Sequence, residues 1–392
     1  MTTKKLYDID AYATTFEAKV LSCTEQTCAN TNGDVARLYE VVLDRTLFFP
    51  EEGGQTPDKG VLGGEEVLDV QIHEDVITHI LLQPLAVGAT VTGEIDWKHR
   101  FYNMQQHSGE HLFSGLAYRR YGYKNVGFHL SDQIVTMDFD KVIPKEHLEE
   151  LEWAVNEAIA ANVEIKTGYP TKEEMETLEY RSKKEIDGAV RIVEIPGYDI
   201  CACCAPHVRR TGEIGSFKIQ TVQNYKGGVR ISMLCGFRAL EEYRKKSDII
   251  AELTSILTTN QEALAENVSK LKLQTQTLKS RLAAAKQTLM ENKISKLPKE
   301  QADVLLFEED IDTQVMRNTV NKLVEAHAGI CGIFVGSDEE GYNYIIGSST
   351  TDCRQIATKM KEVLGARGGG SARMIQGSVQ KTEEDIKKEL LQ

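Results

Sequence analysis

Two histidines four residues apart, His107 and His111, sit in a run with helical periodicity across residues 105–116. On an α-helix such residues lie one turn apart on the same face. Both imidazoles can therefore reach one ion at about 2.0–2.1 Å without bending the backbone. Roughly ninety residues on, Cys203-Cys204-Ala205-Pro206-His207 offers a thiolate and an imidazole, again four apart. Two nitrogens from one segment and a nitrogen plus a sulfur from another suit Zn²⁺, in softness and in tetrahedral preference. A lone pair of helix histidines would read as hydrogen-bonded side chains, but the second pair shifts the balance to a metal site. Chemistry alone leaves Cys201, Cys203 and Cys204 open as the sulfur ligand, with Cys203 matching the spacing of the first pair. A zinc-protease reading is weak, because Ser108 and not a glutamate follows the first histidine; Glu110 comes two places later.

The rest of the 392 residues must supply the scaffold, and that length predicts two or three domains. The net charge of -13 argues against sequence-blind nucleic-acid binding through an overall positive field, while leaving room for a local basic face. No stretch approaches the ~20 apolar residues of a membrane span. Residues 1–8 lack the apolar core of an export signal, so the expected location is the cytoplasm, with no membrane partner. Eight cysteines in such a chain are not a disulfide framework.

Taken in order, the pattern predicts an α+β multidomain protein. Residues 1–95 hold short strand-like runs at 38–43, 67–72, 76–81 and 90–95, which predict a small β-barrel. Inside it lies Gly53-Gly54-Gln55-Thr56-Pro57-Asp58, where the paired glycines allow close approach of backbone or ligand, although spacing alone favours a tight hairpin loop. Residues 96–237 mix helices and segregated strands into an α+β unit around the metal ligands. Residues 238–297 lack Gly before Lys293 and lack Pro before Pro298. There Leu264, Val268, Leu271, Thr275, Leu278, Leu282, Ala285 and Leu289 form a heptad seam. This predicts a long helix pairing with itself as a hairpin or with a second subunit. Residues 298–392 read as an α/β domain ending in a glycine-rich loop around Gly368, Gly369 and Gly370, whose exposed amides suit phosphate contact.

The segment from Arg100 to Ser114 resembles the HxxxH segment of the alanyl-tRNA synthetase editing domain. The segment from Asp199 to Gly215 resembles its CxxxH segment, including the Thr211-Gly212-Glu213-Ile214-Gly215 that follows. Gly53-Gly54-Gln55-Thr56-Pro57-Asp58 is similar to the glycine motif of the free-standing AlaX relatives, and residues 368–377 to the terminal DHH-associated glycine-rich domain. The order is that of the long AlaX type, and the resemblance spans nearly the whole chain. Its departures are Cys204-Ala205-Pro206 where the family commonly has Gly-Gly-Thr, Ser108 for Thr, and Ser371-Ala372-Arg373 for Arg-Pro-Asp.

The resemblance implies Zn²⁺ held by His107, His111, Cys203 and His207. It implies hydrolysis of the ester joining a wrong Ser or Gly to tRNA(Ala), with no ligase activity. Ser108 and Gln55 become the pocket groups that position water or read the amino acid, with Gly53 and Gly54 beside them. Arg209 and Arg230, with Arg210 and Lys226, are candidates to hold the tRNA acceptor end. The general labels of nucleotide and ATP binding come with the resemblance, as does a homodimer through the helical linker or the C-terminal domain. No catalytic Asp-His-His segment supports a DHH phosphoesterase. The competing class is a non-catalytic, zinc-stabilised RNA-binding or assembly protein.

Overall fold

The computed structural model describes residues 2–29, 35–182 and 189–391, and the chain is α+β. It divides into two compact units, Met1–Ile249 and Ile250–Gln392.

The first unit begins with a seven-stranded sheet centred on the strand Thr15–Ala29. Its first five residues pair with Thr90–Ile95, and beyond Val20 it pairs with Val35–Leu43, with a register shift between Val20 and Ser22. One strand thus serves two directions of the sheet, and the bulge bends it. The expected barrel is a curled half-barrel: the terminal strands Glu65–Glu66 and Asp69–His73 do not pair with each other. The chain itself crosses that gap at Val67-Leu68, whose N–H groups go to Gly60 O and Ile80 O, both at 2.9 Å. Phe48, Phe49, Val41, Leu43 and Ile77 fill the interior, each fully buried.

The helix Trp97–Tyr121 leaves this sheet and runs through the centre of the unit. Asp96 caps its start by accepting from His99 N, and Gly122, with φ of 68°, ends it in the left-handed region. From Asn103 to Ala117 every residue is buried, so the helix has no solvent face over four turns. It packs with the helix Lys145–Ala160 against a four-stranded antiparallel sheet. That sheet runs in the order Asn125–Leu130, Val135–Phe139, Gly228–Cys235, Phe217–Tyr225. A smaller sheet of Lys166–Gly168, Ile192–Ile195 and Asp199–Ala202 leads into the cysteine segment.

Two glycines inside the central helix explain how tightly it is held. A Cβ on Gly109 would stand 2.3 Å from Cys235 Sγ, and one on Gly115 would stand 2.6 Å from Tyr198 O and from Asp199 Cβ. Glycine costs a helix interior up to about 1 kcal/mol relative to alanine. Here it lets a strand and the segment 198–199 approach the backbone. Gln106 completes the seam, its Nε2 donating to Cys235 O at 2.9 Å and its Oε1 accepting from Cys235 N at 2.7 Å.

The helical stretch expected between 238 and 297 is two helices, Gly236–Ile256 and Leu264–Ser295. The break needs neither glycine nor proline. Thr258 adopts φ of 48°, and Asn260 Oδ1 accepts from Ala263 N at 2.9 Å within the turn that precedes the next helix. Along Leu264–Ser295 the heptad residues Val268, Leu271, Leu278, Leu282 and Leu289 are exposed. Met290 instead packs against Val315 and Met316 of the helix Thr313–Ala326.

The rest of the second unit is a five-stranded sheet in the order Val304–Glu308, Ile330–Ser337, Gly341–Ser348, Met374–Val379, Arg367–Gly370. The first pair is parallel and the others antiparallel. The expected glycine-rich loop is therefore a hairpin. Gly368, Gly369 and Gly370 pair with Gly377, Gln376 and Ile375 as an exposed edge strand, and residues 371–373 form the turn.

Candidate metal centre

The helix Trp97–Tyr121 presents His107 and His111 one turn apart, as their spacing requires, with ring centroids 5.5 Å apart. The segment following the strand Asp199–Ala202 brings Cys203 and His207 to the same place. Cys203 Sγ lies 3.5 Å from His107 Nε2 and 3.4 Å from His207 Nε2. One donor atom from each of His107, His111, Cys203 and His207 falls within 4.8 Å of all the others. A tetrahedron with arms of roughly 2.0–2.3 Å has edges of about 3.3–3.8 Å, so this set has the dimensions of a four-coordinate site. Among the three cysteines that chemistry leaves open, Cys203 faces the imidazoles. Cys201 is buried in its strand, in a second cluster with His111 and Asp199. Cys204 lies next to Gly53, 3.4 Å from where a Cβ there would stand.

Each imidazole is held from behind. His107 Nδ1 lies 2.8 Å from Gln55 Oε1, His207 Nδ1 lies 2.9 Å from Ser108 Oγ, and His111 Nδ1 lies 3.0 Å from Asp199 Oδ2. With the Nδ1 protons donated to these oxygens, all three Nε2 lone pairs face the common point. Such outer partners fix the tautomer and ring orientation of metal-binding histidines. Asp199 is secured in turn by Arg181, whose Nε and Nη2 donate to its two oxygens at 2.7 and 2.8 Å. A cleft of about 1190 Å³ opens beside this pair, lined in part by Lys124, Asn125 and Tyr180; none of the four donor residues lines it.

The electrostatics of Cys203 and His207 suit metal ligands. Burial opposes ionisation of the Cys203 thiol, but the facing His107 and His207 imidazoles bring its pKa well below the ordinary value. Burial pushes His207 down to about 3, keeping its ring neutral. At His111 burial works the same way, but the Asp199 carboxylate outweighs it and raises the pKa well above 6.5. Burial likewise disfavours the ionised Asp199, and the bonds from His111 and Arg181 overcome it and lower its pKa.

Gln55 reaches the centre because of the turn before it. Gly53 and Gly54 have φ of 63° and 85°, and a Cβ on Gly54 would stand 2.2 Å from Phe128 O. Leu130 N donates to Gly54 O at 2.7 Å and Thr56 N to Leu130 O at 3.0 Å, so the turn is stitched to the strand Asn125–Leu130. Its base is anchored by a fully buried ion pair between Asp58 and Arg100 of the central helix, with Nε 2.9 Å from Oδ1. Asp58 Oδ2 also accepts from Phe49 N at 2.6 Å, and Arg100 Nη2 donates to Leu47 O at 2.6 Å.

The structure thus brings Gly53, Gly54, Gln55 and Ser108 together with the four donors. Ser108 Oγ is already engaged, facing His207 and accepting from Val208 N at 3.3 Å. Arg209 and Arg230 are each committed to a carboxylate and a tyrosine ring. Arg209 pairs with Asp10 at 3.1 Å over Tyr12, and Arg230 with Asp138 at 2.6 Å over Tyr225. Sequence reasoning missed Asp199, Arg181, Asp58 and Arg100. An Asp four residues before Cys203 has no periodic signature, and only the strand's approach to Gly115 shows what it does.

Two family models match. Residues 190–232, which include Cys203 and His207, match the threonyl and alanyl tRNA synthetase second additional domain. Residues 2–99, the half-barrel, match the model described as tRNA synthetases class II (A). Among curated proteins, the chain is 29% identical to the alanyl-tRNA editing protein Aarsd1 of Danio rerio, over 94% of the chain and 92% of that protein. It is 28% identical to Aarsd1-A of Xenopus laevis, over 97% and 95%. It is 32% identical to the alanine–tRNA ligase of Ignicoccus hospitalis, over 74% of the chain but 32% of the ligase. The chain is therefore a relative of the alanyl-tRNA editing proteins along nearly its whole length. Among the described residues no helix is long and apolar enough to cross a membrane.

Proposed function

We propose that this protein is a free-standing editing hydrolase that deacylates tRNA(Ala) mischarged with Ser or Gly. The observation that carries the reading is the convergence of three back-tethered imidazoles and one thiolate on a single point, in a chain related throughout its length to alanyl-tRNA editing proteins. The donor set and its spacing fit Zn²⁺, which His107, His111, Cys203 and His207 would hold. When bound, the ion supplies a positive charge able to polarise an ester carbonyl or lower the pKa of water. The chain's own residues do the rest. Gln55 and Ser108 keep two imidazoles in register, and Gly53-Gly54 bring that wall of the pocket close. The exposed Arg209 and Arg210 are proposed to meet the acceptor end of the tRNA, with Lys226 and Arg230; Arg209 and Arg230 would exchange carboxylate for phosphate. Ester hydrolysis itself needs no ATP.

The parts at 1–95, 96–237, 238–297 and 298–392 remain the proposed domain plan, with the cytoplasm as location. A homodimer through the exposed heptad face or the C-terminal domain belongs to the same proposal, and a monomer at all concentrations by light scattering would end it.

A second reading is favoured by the closed four-donor set, which by the usual rule is structural. In it, the site only stabilises an RNA-binding protein. Deacylation assays across mischarged tRNAs separate the two. Hydrolysis of Ser-tRNA(Ala) or Gly-tRNA(Ala), sparing of Ala-tRNA(Ala) and loss on His111→Ala support the enzyme. No cleavage of either substrate supports the binding protein.

A further inference from the structure

The turn that carries Gln55 holds a second polar group that the metal centre does not use. Glu52 and Gln55 are direct antiparallel partners across it, with Glu52 N donating to Gln55 O at 3.2 Å and Gln55 N to Glu52 O at 3.0 Å. Residues paired in this way project their side chains to one face. Gln55 uses that face to reach His107, and Glu52 lies beside the Cys204 thiol. Among the described residues, Glu52 Oε2 is shielded from solvent yet accepts no hydrogen bond, and Gln55 Nε2 and the Tyr7 hydroxyl are likewise buried without a partner. Tyr7 is only 2% exposed, and its hydroxyl feels the charge of both Glu52 and Cys204.

A neighbouring carboxylate, Asp8, also has one buried oxygen without a hydrogen bond, Oδ1, but a cation stands beside it. Asp8 is paired with Arg191 at 3.2 Å and accepts from the Tyr169 hydroxyl at 2.8 Å. Glu52 has the weakly donating Cys204 thiol beside its carboxylate, and no cation or hydroxyl reaches its Oε2 among the described residues. Burying a carboxylate oxygen without a donor is expensive, and three unpaired polar atoms around one turn mark a place prepared for a polar occupant.

We infer that Glu52 and Tyr7 form the subsite for the α-ammonium group of the aminoacyl ester, an inference that rests on the editing reading. That group is cationic at neutral pH and offers only donors, so it requires acceptors, which the Glu52 carboxylate and the Tyr7 oxygen supply. Gln55 Nε2, a donor, is left for an oxygen of the substrate. The subsite admits free aminoacyl esters and rejects N-blocked ones, which protects peptidyl- and N-acyl-tRNA from cleavage.

The test uses the metal-loaded full chain and a non-hydrolysable 3′-amide analogue of seryl-adenosine, with its amine free or acetylated, by calorimetry. Wild type binds the free amine about 10- to 100-fold more tightly, the range for one hydrogen bond to a charged group. Glu52→Gln abolishes that preference at unchanged zinc content and Tm. Tyr7→Phe, which keeps the ring against Phe49, reduces it by a smaller factor. A preference that survives Glu52→Gln, or none in wild type, overturns the assignment. If the preference holds while mischarged tRNA(Ala) is not cleaved, the subsite stands and the hydrolase reading fails.

Discussion

Gly53-Gly54 and Gly368-Gly369-Gly370 are both short glycine runs beside polar residues, but tertiary structure gives them opposite uses. The first pair turns the chain in the left-handed region, with Gly54 against Phe128 O, and so delivers a fully buried Gln55 to His107. The second run is an exposed edge strand, and a Cβ on Gly369 would meet nothing within 4 Å. Glycine is required where something else must come close, and a run of it says nothing about what that is.

The sharpest way to break this comparison is at the centre the first turn serves. Cys203→Ala removes the only sulfur donor of the four-residue set. It is expected to reduce deacylation to background and to lower bound zinc, read by metal analysis; full activity in a metal-poor variant would detach the turn from metal chemistry altogether.

Next in size is the anchor of the turn. Asp58→Asn leaves Arg100 buried without its counter-charge, which costs about 3–5 kcal/mol. For a unit the size of Met1–Ile249 this lowers Tm by roughly 6–20 °C. Calorimetry showing a drop of only a degree or two would mean the turn is held elsewhere.

Gly54→Ala comes third. Left-handed strain costs about 1–3 kcal/mol, and the backbone clash adds to it. The turn must shift and carry Gln55 with it, so activity should fall along with Tm. Retained activity would show that Gln55 does not need its present place. Gly369→Ala completes the series, with stability expected within about 0.5 kcal/mol of wild type and activity unchanged. A large loss there would reveal a role for the edge strand that its exposure does not suggest.

Elements with strong periodicity were legible from residue types alone. The strands Val76–Leu81 and Thr90–Ile95 lie where hydrophobic spacing puts them. The break at Thr258 was not, because it depends on one residue in the left-handed region and one asparagine bonding within the turn, with no glycine or proline to mark it. The terminal glycine run was read as a loop for the converse reason. Strand pairing with Met374–Val379 is a long-range property, invisible in a segment of three glycines.

The donor residues followed from sequence because two pairs spaced four apart must each share a side, whatever the rest of the chain does. The orienting groups did not. Asp199 reaches His111 only because Gly115 has no side chain in its way, and Gln55 reaches His107 only because a buried ion pair fixes the base of its turn. Local periodicity determined which atoms this protein brings to the centre. Packing between elements far apart in the chain decided which way those atoms point, because orientation depends on partners that no local pattern contains.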